Sequence, residues 1–71
     1  MATKKIDLTT ERIPYGYADA KFPDLDSAKR MARLEYTRMK EKYGDEIVED
    51  FDKALVEEEY SVYLKLTRVV N

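Results

Sequence analysis

Hydrophobic and polar residues alternate at the start of the chain. In residues 4–13, "KKIDLTTERI", Ile6 and Leu8 face one way and Lys5, Asp7 and Thr9 the other, which predicts a half-buried strand. "PYG" reads as a turn, and "YADAKF" alternates weakly with Ala18, Ala20 and Phe22 on one side, which leaves a first hairpin as an open alternative. The period then changes. From Leu25 onward the apolar positions Leu25, Ala28, Ala32, Tyr36, Met39 and Tyr43 fall in one stripe at 100° per residue, the mark of an amphipathic helix. Pro23 and a capping aspartate, Asp24 or Asp26, open it, Gly44 closes it, and Lys40 and Lys42 sit in its last turn beside the negative end of the helix dipole.

A second helix is expected from Asp45, with Glu46 and Glu49 in its first turn and Ile47, Val48, Phe51, Ala54 and Leu55 as its apolar stripe. Beyond it, "YSVYLKLTRVV" returns to a period of two, aligning Tyr60, Val62, Leu64, Leu66 and Val70 against Ser61, Lys65 and Thr67, and favours a strand over a helical continuation. These elements make an α+β domain over residues 1–71. The expected architecture is a two- or three-stranded, mainly antiparallel sheet with both helices on one face, in the order β(β)ααβ.

Composition narrows the function classes. Seventy-one residues lie near the lower limit for folding without a staple or a partner subunit, which keeps a homodimer among the alternatives. The chain is 44% hydrophobic and 39% charged with a net charge of −2, a soluble, globular balance. It has no long apolar run to place it in a membrane and no export signal, so a cytoplasmic location is expected. It contains neither cysteine nor histidine, which removes disulfides, thiolate and imidazole metal ligands and the commonest catalytic groups. The acidic stretch lacks the spacing of a calcium loop, and two isolated glycines make no phosphate cradle. No enzyme activity, cofactor or metal is expected.

Charge is unevenly placed. Residues 26–44 carry six bases against three acids, and residues 45–59 carry eight acids against one lysine. The acids exceed what helix capping needs, so Glu46, Glu49, Asp50 and Asp52 are candidates for an anionic docking surface that steers a basic protein partner. Six tyrosines add flat, amphipathic contact area. Tyr36 and Tyr43 belong to the core stripe, whereas Tyr15 and Tyr17, flanking Gly16, and Tyr63 are candidates for exposure at an interface. The leading expectation is a small non-enzymatic protein-binding module, an inhibitor or modulator of the kind phages and other mobile elements often carry. The alternatives are a nucleic-acid-binding accessory protein using Lys29, Arg30, Arg33 and Lys40 on the first helix, and a structural subunit of an assembly.

Overall fold

The backbone of residues 60–70 is the axis around which the rest of the chain is arranged. In the computed structural model, which describes residues 3–71, two strands occupy it, β4 (Ser61–Leu64) and β5 (Thr67–Val70). The N-terminal segment runs antiparallel along their whole length. Strand β1 (Lys4–Asp7) pairs with β5, Leu8 and Thr10 donate to the carbonyls of Leu66 and Leu64, and β2 (Ile13–Pro14) pairs with β4. Thr10 lies opposite Leu64 but Ile13 opposite Val62, so Glu11 and Arg12 together face Tyr63 alone. This is the two-against-one count of a β-bulge, and it divides a continuous ribbon into two sheets. The first has the order β1-β5; the second has the order β2-β4-β3, where β3 (Leu55–Glu57) returns on β4 as an antiparallel hairpin.

Helix α1 (Leu25–Tyr43) forms as its signals require. The Asp24 carboxylate accepts from the Ser27 N–H, and Gly44, at φ 58°, turns the chain out of the helix in a conformation that β-carbon-bearing residues avoid. Its two smallest stripe residues, Ala28 and Ala32, are completely buried, letting the helix lie close against Val62, Leu64 and Leu66, which point inward from the β4–β5 ribbon. Ile13, Ile47 and Ala54 complete the buried cluster, with Leu25, Met31, Tyr36, Met39 and Tyr43 packed around it. The molecule is long for its size, 50 × 19 × 17 Å.

The α+β class holds, and the order differs from expectation: three strands follow the helices, in two sheets. No second strand forms at "YADAKF". The Tyr15 N–H is given to the Tyr60 carbonyl, Gly16 takes φ 81°, and a turn from Tyr17 to Ala20 brings Phe22 back beside Tyr15, making a compact loop. The long acidic helix is replaced by a connector. A 3-10 turn (Gly44–Glu46) leads to Ile47, which is buried and bridges Arg68 on β5, and only one helical turn, α2 (Phe51–Ala54), follows. Val48, expected on the apolar stripe, is 59% exposed. The acids explain the break. Glu49 accepts from the Thr67 N–H on β5, and Asp50 caps a later helix start by accepting from the Lys53 N–H, so carboxylates that would line one helix instead satisfy backbone donors on β5 and at the start of α2.

Candidate functional site

The four acids proposed for docking are therefore dispersed along a connector. Glu46 holds Arg68 Nε at 2.7 Å, and the Arg68 guanidinium lies 4.6 Å over the Tyr43 ring. Glu49 is doubly bound to the fold: its side chain accepts from Thr67 at 2.9 Å and its carbonyl from the Tyr36 hydroxyl at 2.7 Å. Asp50 caps α2, leaving Asp52 as the fully outward member of the set. Burial pushes the Tyr36 hydroxyl above its ordinary pKa, and the nearby Asp50 and Glu49 add to the rise.

The basic residues of α1 also divide. Lys29, Arg30 and Arg33 line a groove of about 300 Å³ with Phe51 and Leu55 beneath and Asp26 and Asp52 beside them. Lys29 reaches Glu57 at 3.4 Å, and the Arg33 guanidinium covers the Phe51 ring at 4.4 Å. Lys40 is elsewhere, donating to the carbonyls of Gly44 and Ile47 past the helix end. These four cations do not form one continuous strip.

The aromatic candidates come closer together. Two loops meet at the end of the molecule opposite β1: the Gly16 loop and the β3–β4 turn at Glu59–Tyr60. Tyr17 and Tyr60, 50% and 54% exposed, meet edge to face there with ring centroids 6.3 Å apart. Tyr15 is half-buried behind them and donates its hydroxyl to the Glu58 carbonyl. Glu58 in turn accepts from Arg12 and from the Ser61 hydroxyl, and these bonds hold its carboxyl below the usual carboxylate range. The turn is thus fixed by these side chains together with the Glu58 N–H bond to the Ser61 carbonyl and the Tyr15 N–H bond to the Tyr60 carbonyl, with no residue in the left-handed region that a tight hairpin commonly uses. Tyr63 stands on the face of the sheet away from α1, half-buried under the Arg12 guanidinium at 4.7 Å. Alternation predicts an inward-facing Tyr60, but the residue stands in the turn ahead of β4 and is exposed. Asp19 and Lys21 are exposed on the Gly16 loop and Glu59 on the β3–β4 turn, while Glu57 reaches Lys29.

One group was invisible in the pattern. Glu35 lines a second groove of about 300 Å³ with Thr10, Glu11, Arg38 and Met39, and its Oε2 is buried with no hydrogen-bond partner. Burial pushes its carboxyl up; Arg38 opposes the shift and Glu11 adds to it. A folded-state pKa above the unfolded one means that Glu35 favours folding most fully below the ordinary carboxylate range, and that this contribution is lost as pH rises through the raised value. Glu35→Gln is accordingly expected to stabilise the protein at neutral pH by no more than about 1 kcal/mol, given how much of the side chain remains in water. Thermal melts across pH check this, since the gain should disappear on acidification; a gain that persists in acid would assign it to packing.

Among the described residues no group of three or more acidic residues is placed to hold a metal ion, and no helix is long and apolar enough to cross a membrane. No protein-family model matches the chain, and neither a curated protein nor a solved structure matches it.

Proposed function

We propose that the protein is a non-enzymatic binding module that docks a basic protein surface at the Tyr17–Tyr60 tip. The observation that carries this reading is the half-exposed, edge-to-face tyrosine pair on two interlocked loops. The loops that carry the rings are tied to each other by the Tyr15 hydroxyl bond to the Glu58 carbonyl, the Tyr15 N–H bond to the Tyr60 carbonyl and the Arg12–Glu58 pair, so their backbones need little further ordering when the rings are covered. Tyrosine supplies a large contact area with a polar edge, the chemistry enriched at interface centres. On the two loops themselves, exposed Asp19 and Glu59 stand against one exposed base, Lys21, and Glu57 is shared with Lys29; the slight negative balance favours lysine- and arginine-rich partners. A side-chain inventory without histidine or cysteine supports the non-enzymatic half of the reading.

Selection from a randomised peptide library tests it. Peptides rich in lysine and arginine should be retained by the wild-type chain, less tightly as salt rises, and about tenfold more weakly or worse by Tyr17→Ala/Tyr60→Ala. Enrichment of acidic peptides, with loss of binding in Arg30→Glu, would instead assign the docking site to the Lys29–Arg30–Arg33 groove. Equal retention by the double tyrosine variant would also overturn the proposal.

A further inference from the structure

The ribbon end opposite the tyrosine tip has an open edge with a self-complementary sequence. Strand β1 pairs only with β5 among the described residues, and all four of its side chains are exposed, Ile6 by 37%. The Leu8 and Thr10 N–H groups point toward the C-terminal strands, so alternation turns the N–H and C=O groups of Lys5 and Asp7 outward. The next outward N–H, on Thr9, is already taken by the Asp7 carboxylate at 2.9 Å. The free edge is therefore short and defined: two residues, Lys5 and Asp7, with Ile6 between them.

A second copy related by a two-fold axis can pair with such an edge antiparallel only if opposed residues lie on the same face of the joined sheet. The axis must then pass through a residue. Centred on Lys5 it opposes two lysines, and centred on Asp7 it opposes two aspartates, both repulsive. Centred on Ile6 it sets Lys5 of each copy opposite Asp7 of the other and Ile6 opposite Ile6. That register also joins the two outward N–H and two outward C=O groups of each strand to one another. The other edges lack this property: on β3 the same operation about Val56 opposes Leu55 with Glu57, β2 is two residues long and ends in Pro14, which has no N–H to give, and β5 is bridged on its outer side by Ile47.

We infer that two copies of this chain associate through β1, in the register centred on Ile6, to give a four-stranded sheet of order β5-β1-β1-β5. A two-stranded ribbon of four-residue strands is marginal alone, and pairing removes its open edge. The tyrosine tips then lie at the two far ends of the dimer. The association does not depend on what those tips bind.

Cysteine substitution tests the register in a chain that has no cysteine of its own. Opposed Ile6 residues form a non-hydrogen-bonded pair with Cα atoms about 4.5 Å apart, within reach of a disulfide. Ile6→Cys should give covalent dimer under mild oxidation faster than Lys5→Cys, which is out of register, and faster than Val48→Cys, an exposed control away from the edge. Sedimentation of the unmodified chain up to millimolar concentration should show a dimer whose dissociation constant rises about tenfold in Lys5→Glu and stays near the wild-type value in Lys5→Arg. Ile6→Cys crosslinking no faster than Val48→Cys would overturn the inference. So would faster crosslinking of Lys5→Cys, a wild-type chain monomeric throughout the range, or a Lys5→Glu chain that dimerises like wild type.

Discussion

Leu64→Ala is expected to remove a large fraction of the protein's stability and to lower its melting temperature by roughly 12 to 24 °C. Leu64 is fully buried on β4, where it faces the close contact between Ala28 and Ala32 of α1 and lies beside Leu55 on β3. Truncating a buried leucine costs about 2 to 5 kcal/mol, because transfer energy is lost and the surroundings close the cavity only in part. The surroundings here have little freedom to close. Two alanines have no longer side chains to swing inward, and the strand is held on both sides by β2 and β3. Total stability for a domain of this length is roughly 4 to 10 kcal/mol, so the loss is a large fraction of it. A fall in melting temperature of roughly 12 to 24 °C follows from a loss near 3 kcal/mol. Leu34→Ala supplies the contrast: Leu34 is on α1 but 53% exposed, and its truncation should change stability by no more than about 0.5 kcal/mol. Calorimetry of the two variants side by side isolates the effect of burial, since the same side chain is removed from a buried and from an exposed position. Equal, small shifts in both would show that α1 does not pack on β4 as described.

The elements that could be read from sequence are those whose determinants are local. Helix α1 has its cap at Asp24, its stop at Gly44 and an unbroken apolar stripe between, and all three signals act within the helix itself. The inward positions of residues 62–66 follow from alternation, which survives because β4 is central and has one face covered. The second helix misled for a physical reason. Ile47, Phe51 and Ala54 recur at helical spacing, yet Ile47 is buried by bridging β5 and only the last turn becomes helix. What decides the matter is long-range: the Thr67 N–H and the Arg68 side chain recruit Glu49 and Glu46. No local pattern reports that. Asp50, three residues before the Lys53 N–H it accepts from, was the one nearby sign of a late helix start. The orphaned oxygen of Glu35 is of the same kind, since it depends on Thr10 and Glu11 being brought over the helix by the bulged ribbon. For the candidate surface, exposure of Tyr17 followed from its place beside Gly16, but its contact with Tyr60 required two loops distant in sequence to meet.

The acids of the connector decide between a docking role and a folding role, and their neutralisation should give the second of the large effects. In Glu46→Gln/Glu49→Gln, the Glu46 charge opposite Arg68 is removed, and the carboxylate that receives the Thr67 N–H becomes a weaker, neutral acceptor. Both contacts are half-shielded, so each is worth more than a surface ion pair and less than a dry one. A combined loss of about 1 to 2 kcal/mol is expected, with the Arg68 guanidinium freed from its place over Tyr43. The two positions lie close enough along one connector that their effects should not simply add, because loosening either end releases Ile47 from the core. Denaturant melts of the two single variants and the double measure this directly. Amide exchange at Thr67 and Arg68 should quicken in the double variant ahead of exchange in α1, since the connector and β5 open together. Binding of basic peptides by the folded fraction should stay near the wild-type affinity, because the Tyr17–Tyr60 tip lies at the other end of the ribbon. If instead stability is unchanged while peptide association slows, the connector acids form the docking surface after all, and the bonds to Thr67 and Arg68 contribute nothing to holding the fold.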